Sequence, residues 1–380
     1  MFNQARKRNG IFCKRYQRIA SYTLLSIFLL LLCLYIITPI GIKYHLNHNV
    51  LRDMGRYTGH VNDVDLRLSR CGYSVQEMVL SRKAMDADTP FFYAQDFIVS
   101  ISSEALRHGA VMVDVTIEHS ELNFIDSTSP EKRQAGLGTN WLEVLREILP
   151  TTLHSMTIID GKISFNNRDV KPAVALAASS INAHLSNLTN VLNRSQEHAA
   201  SAVLFSQVQS QGQLEARATF NPDHFDDFSF VGKATGVKLV DFNDFANAYG
   251  HIDFQSGTGD VFIELEAADG ELRGYAKPLF KNVSIASWEQ DVKQQKDNPV
   301  QLIWEGALEI AKVLLTNQNT NTIATQIDIQ GSISHAQMET WPTFVGMLKN
   351  AFVHALESNF DLDFERDSDH SETTDDTKDK

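Results

Sequence analysis

Cysteine is scarce in this sequence: 380 residues hold three, Cys13, Cys33 and Cys71. Two of them lie before or within the long apolar run near the N-terminus. Cys71 is alone beyond it, so the bulk of the chain has no internal disulfide to form. Catalytic signatures are also missing. There is no HExxH, GxSxG, Walker A sequence or CxxC, and the His residues are scattered. No enzymatic activity, no cofactor and no metal are expected. Positive charge is scarce as well. The net charge is −13, although Arg6, Lys7, Arg8, Lys14, Arg15 and Arg18 crowd the N-terminus, so the rest is more acidic still. That excludes a nucleic-acid ligand, which needs clustered Lys and Arg. It also disfavours general electrostatic attachment to anionic lipid.

What the sequence does have is one uncharged stretch, Tyr22 to Ile42. A bilayer core of ~30 Å takes roughly 20 apolar residues as a helix. Tyr22 and Tyr44 stand near its ends, where interfacial aromatics collect. The basic flank before it resists translocation, which predicts a cytoplasmic N-terminus and an exported remainder. The stretch exceeds a signal-peptide core of 7–15 residues, and no small-x-small site follows it, so a retained anchor is expected.

Beyond the anchor, period-two alternation dominates. Val111, Val113, Val115 and Ile117 alternate with Met112, Asp114, Thr116 and Glu118. Tyr73-Ser74-Val75 and Phe97 to Ile101 read similarly, as strands with one apolar face. Ser127 to Gly138 reads as a loop or domain joint. Asn140 to Leu149 reads as a helix capped by Asn140 and ended by Pro150. Met156 to Phe165 reads as a hairpin turning on Asp160-Gly161, and Val261 to Tyr275 as another turning at Asp269-Gly270. Val203 to Phe220 pairs two alternating strands about Gln211-Gly212, and Thr322 to Ile333 alternates again. Val300 to Leu314 and Trp341 to Ala355 carry helical apolar faces. The acidic, polar end reads as a disordered tail. The fold class is therefore mainly β with a few helices (α+β), an antiparallel sheet behind an N-terminal transmembrane helix. The implied divisions are a basic tail (1–21), the anchor (22–42), a β region (43–130), a β domain with helices (131–360) and the tail (361–380).

Several of these segments resemble the AsmA-like family of bacterial envelope proteins. Trp141-Leu142 through Leu149-Pro150, followed by Ile158-Ile159-Asp160-Gly161-Lys162-Ile163-Ser164-Phe165, is similar to the family's helix, Leu-Pro and strand-Asp-Gly-strand order. Leu239 to Tyr249, Gly257 and Gly259, Glu264-Leu265, Asp269-Gly270, Gly274-Tyr275-Ala276-Lys277-Pro278-Leu279, Trp341-Pro342 and Asn350 to Val353 resemble an AsmA-related branch known only as a domain of unknown function. The resemblance covers about Thr139 to Leu356 and the anchor. The chain departs from large members in being short. The resemblance implies a taco-like twisted sheet with an apolar groove, capped by helices, anchored in the inner membrane with its bulk in the periplasm. It implies a part in envelope integrity or in moving phospholipid toward the outer membrane.

The alternating residues Val111, Val113, Val115, Ile117, Ile158, Phe165, Val261, Ile263 and Leu265 are the lipid-groove candidates. Periodicity alone serves an ordinary core equally well, because both uses need the same alternation. Lys277 is a headgroup candidate, or else a structural strand end. Asp223-His224-Phe225-Asp226-Asp227 has oxygen ligands suited to a divalent cation, but follows Asn221-Pro222 and reads as a solvated turn. Gly257-Thr258-Gly259 precedes a strand, so it reads as a turn or bulge and not a phosphate cradle. The expected partners are phospholipid, the inner membrane and envelope proteins. The alternative is a scaffold or assembly factor for outer-membrane or secretion machinery, with a filled sheet and no lipid.

Overall fold

The computed structural model describes residues 2–83, 89–127, 129, 131–134, 144, 148–149, 153–188, 200–221, 224–250, 252–268, 270–288, 322–324 and 326–332. Most of the predicted helix Asn140–Leu149, both predicted late helices and the acidic tail lie outside them.

Helix α1 (Phe2–His45) continues through a π-helical turn, Leu46–Val50. Among the described residues it is the one helix long and apolar enough to cross a membrane, over Ser21–Val50, near the N-terminus. A retained anchor and a signal sequence both have that length and composition. Its Leu and Ile side chains face outward and none of the apolar window is buried in the protein, so it is not a core helix of the fold.

Thirteen strands form one open sheet. β1 (Tyr57–Arg67), β2 (Gly72–Arg82), β3 (Phe92–Ile101) and β4 (Val113–Asp126) pair as an antiparallel meander, with the short helix α2 (Ser103–Arg107) between the last two. β5 (Leu153–Asn167) then lies parallel to β4. A parallel neighbour requires a crossover, and residues 127–152 supply it. Ile148 and Leu149 of that crossover are buried in the core of the first strands. The sheet thus runs unbroken past the predicted joint at 127–138. β6 (Val174–Ser186), β7 (Ala200–Val208), β8 (Gly212–Asn221), β9 (His224–Lys238), β10 (Ile252–Ala268) and β11 (Glu271–Trp288) resume the antiparallel meander, with α3 (Asn243–Gly250) between β9 and β10. A broken last strand, β12 (Thr322–Ala324) and β13 (Ile327–Ser332), pairs with β11.

The Asp269-Gly270 hairpin and the pair about Gly212 form as predicted, with Ala268 opposite Glu271 and Val208 opposite Gly212. The predicted turn at Asp160-Gly161 does not form. Both residues lie inside the single strand β5, with Asp160 left-handed at φ 52°. A Cβ on Gly161 would come within 2.9 Å of Ile158 and 3.1 Å of Ser120, so the glycine packs inside the sheet. Strands on both sides supply β5 with partners, and the Asp-Gly pair becomes a bulge.

That bulge belongs to a line. Glu77 in β2, His119 in β4, Asp160 in β5 and Ser180 in β6 all have positive φ. Register places Glu77 and His119 on either side of Gln95 in β3, and His119 beside Asp160. At this line the core-facing residues change parity. They run Tyr73, Val75, then Met78, Leu80 in β2; Phe92, Ala94, then Phe97, Val99 in β3; and Val113, Val115, Ile117, then Leu122, Phe124 in β4. A left-handed non-glycine residue costs on the order of 1–2 kcal/mol, and the crease has four of them.

Helix α1 and the turn after it are tied to the sheet at its first edge. Leu46, Val50, Leu51 and Met54 are buried against Tyr57, Val61 and Val64. The Asn47 side chain donates to Val61 O at 3.0 Å and accepts from Val61 N at 2.7 Å. The Gly59 amide donates to Leu51 O at 2.6 Å. Asn47→Ala removes two of these bonds and leaves a backbone amide and carbonyl without protein partners. The expected loss is about 1–3 kcal/mol, read as a lower denaturant midpoint in detergent and faster proteolysis near Leu51. An unchanged midpoint and cleavage rate would show that burial alone holds the joint.

Candidate functional site

Side chains directly across a ladder share a face. One row can therefore be followed across the sheet by register. From β4 to β13 it reads Ile117, Ile158, Ala183, Leu204, Ala216, Gly232, Ile263, Ala276, Ile327. The next row on the same face reads Val115, Met156, Leu185, Ala202, Ala218, Phe230, Leu265, Gly274, Ile329. Neither row contains a polar side chain. The row between them, on the other face, reads Thr116, Thr157, His184, Val203, Arg217, Val231, Glu264, Tyr275, Asp328.

The apolar face is filled at its ends and half-open between them. Toward β1 the rows join the core under the helix joint and Ile148-Leu149. Toward β13, Leu265, Ala267, Leu272, Ala276 and Ile329 are buried, with Phe228, Phe230 and Ile263 packed against them. Leu185, Ala202, Leu204, Ala216 and Ala218, on β6–β8, belong to neither cluster and are half-buried. Ala202, Ala216 and Ala218 make the floor low there. This stretch is the candidate site.

The sequence-derived candidates divide accordingly. Val113, Val115 and Ile117 are buried in the first core, at 2%, 1% and 7% exposure, so they line no open trough. Val111 precedes β4 and is 62% exposed, while Met112 beside it is buried. The alternation starts two residues later than it reads, at Val113, in the same phase. Leu265 and Ile263 belong to the second core. Ile158, Phe165 and Val261 are half-buried on the same sheet. Lys277 is exposed and pairs in register with Phe262, on the face opposite the apolar rows, with its ammonium 4.4 Å from the Tyr275 ring centre. It closes a surface contact and does not reach the trough. The β6–β8 residues escaped the list because small side chains carry a weak hydropathy signal; the alternation Leu214, Ala216, Ala218, Phe220 was the available clue.

Around the bulge of β10, Gly257 has φ 132° and the register shifts between Ser256 and Thr258 and again between Gly259 and Val261. Asp260 holds this region. Its carboxylate accepts from the Gly236 amide at 2.8 Å and from the Lys281 ammonium at 2.9 Å. Burial opposes its charge, but these partners, with Lys233 nearby, win and hold the carboxyl below the usual carboxylate range. On the outer face the Tyr275 hydroxyl donates to Glu264 at 2.6 Å, which with partial desolvation raises its pKa. In the first core, burial pushes Tyr73 up to about 12, and its hydroxyl donates to Ile148 O at 2.9 Å. Each shift is explained by a structural hydrogen bond or by burial. Among the described residues no group of three or more His, Cys, Asp or Glu could hold a metal ion. Asp223 and the side chains of His224, Phe225 and Asp226 lie outside the described residues.

No family model and no curated protein matches this chain.

A depressed folded pKa sets the sign of one pH effect. The unfolded Asp260 binds its proton near pH ~3.9, above the folded value. Its stabilisation is present above that pH and lost as pH falls through the folded value. Asp260→Asn should therefore lower stability at neutral pH and flatten the acid limb of the stability profile. Parallel wild-type and variant profiles from pH 7 to the acid limb would refute the assignment.

Proposed function

We propose that this protein is a membrane-anchored, AsmA-like envelope protein whose β-sheet shields phospholipid acyl chains along one face. The observation that carries this reading is the pair of apolar rows crossing β4 to β13, together with their half-buried stretch on β6–β8. Acyl chains form no hydrogen bonds, so they suit a surface that offers none. A contiguous apolar face that the described residues leave half-buried marks a binding site more often than spare surface.

Three further features agree with it. Helix α1 does not stop at the apolar run; it continues into a turn whose Leu46 and Val50 are core residues of the sheet domain. Cleavage directly after Ile42 would leave that turn without the helix it continues. The basic residues before the run favour a cytoplasmic N-terminus, which puts the sheet in the periplasm of a two-membrane envelope. The order of segments from Leu239 to Leu279 resembles the AsmA-related pattern. In this reading the sheet is a short trough beginning at the inner membrane and works with other envelope proteins to carry phospholipid outward.

Purification in mild detergent followed by lipid mass spectrometry tests the reading. Wild-type protein should retain phospholipid and take up a fluorescent analogue. Leu204→Glu places a charge in the half-buried stretch, outside both packed cores, and should sharply reduce retention with little effect on thermal stability. Phe205→Glu, one residue along on the opposite face, should leave retention intact. Protein free of phospholipid and unable to take up the analogue would refute the proposal. Crosslinking to a protein partner without lipid uptake would favour a scaffold.

A further inference from the structure

The joint between helix and sheet is basic, unlike the acidic chain that follows it. Residues 43–83 contain seven Lys and Arg against four Asp and Glu, a net charge of +3 in a protein of −13. Part of that excess is gathered at the end of the β1–β2 hairpin that meets the anchor. Arg52 and Arg56 are exposed in the turn before β1, and Lys83 is exposed just past β2. The Lys83 amide donates to Arg56 O at 3.0 Å, which brings these two residues side by side. Arg82 is next in register, opposite Tyr57. Among the described residues one carboxylate sits with them. Asp53 pairs with the Lys83 ammonium at 2.5 Å and is held below its usual range by Lys83 first, then by the Gly55 amide and Arg52. Asp63 pairs with Lys43 at 3.6 Å.

The place matters as much as the charge. From Ile42, the last residue of the uncharged run, to Val50 the chain is helical. At ~1.5 Å per residue that is roughly 12 Å. The headgroup layer beyond a bilayer core is about 5–7 Å deep on each side. Arg52 and its neighbours thus stand just outside the headgroups, within a Debye length of ~8 Å at physiological salt.

We propose that Arg52, Arg56 and Lys83 form a headgroup site for anionic phospholipid in the leaflet from which the sheet rises. The proposal rests on α1 being a retained anchor, and it is independent of whether acyl chains occupy the β6–β8 stretch. Guanidinium groups bind phosphate bidentately, and among the described residues three cations stand about a single carboxylate, a surplus that suits an anionic headgroup better than a zwitterionic one. A lipid tethered there would lie at the membrane end of the sheet.

The test uses the full chain in nanodiscs of phosphatidylcholine with a minority of phosphatidylglycerol, followed by gentle delipidation and mass spectrometry of the lipid still bound. Phosphatidylglycerol should be enriched over its bulk fraction. Near an anionic surface each cation contributes roughly fivefold, so R52Q/R56Q/K83Q should bring enrichment down to the bulk ratio. Asp53→Asn, which removes only the competing carboxylate, should raise it. Excess inorganic phosphate should leave the enrichment in place; displacement by free phosphate would show an anion site that is not specific to lipid and would overturn the proposal. So would equal enrichment in the triple variant, or none in the wild type, at unchanged circular dichroism. Leu204→Glu separates the two ideas: it should reduce total bound lipid while the phosphatidylglycerol preference of what remains persists.

Discussion

The arrangement depends on one constraint: side chains along a strand alternate faces with a period of two, so a single extra residue turns everything beyond it over. In an isolated strand such a slip would expose the core. Here β1 to β6 change phase at the same level, with Glu77, His119, Asp160 and Ser180 in left-handed conformations along the line. Because every strand turns over together, the apolar face stays continuous on both sides of the crease. His119 and Asp160, adjacent in the parallel pair, lie 3.6 Å apart across it. The backbone cost of these residues is repaid by the burial of whole rows of Val, Leu, Phe and Met against the helix joint.

The same continuity explains why the sheet has two cores and not one. The first is closed by the end of α1, the turn after it and the crossover residues Ile148 and Leu149. The second is the buried cluster on β9 to β13. Between them the rows run on through Leu204, Ala216 and Ala218 with the same polarity but less cover. An uninterrupted apolar row with a half-buried middle is the feature from which the proposed hydrophobic ligand is argued. The outer face differs: its polar partners, such as Tyr275 with Glu264 and Lys233 over Phe262, bond to each other at the surface.

Two asparagines use one device to join helix to strand. Asn47 grips both backbone groups of Val61, and Asn243, at the start of α3, does the same to Phe254, accepting from its amide and donating to its carbonyl at 2.9 Å each. A side-chain amide supplies a donor and an acceptor in the spacing a strand edge presents. At β1 this covers part of an edge that would otherwise be open for pairing. It also fixes the sheet to α1 through a short, hydrogen-bonded joint.

The sequence alone determined the apolar helix, the one-sided strands and those turns where chain reversal is local. Asp269-Gly270 was legible because chain reversal there is local, with Ala268 directly opposite Glu271. Asp160-Gly161 has the same chemistry and became a bulge, because β4 and β6 bracket β5 along its length. Val111 was placed in the strand, which begins two residues later at Val113, for a related reason: alternation shows a period, but not where pairing starts. The tertiary structure decided which alternating residues fall in a filled core, as Val113, Val115 and Ile117 do, and which remain half-open, as Leu204 does. It also gathered Arg52, Arg56 and Lys83 into one place. Periodicity is a property of neighbours in the chain, whereas register and cover are set by strands and helices distant in sequence.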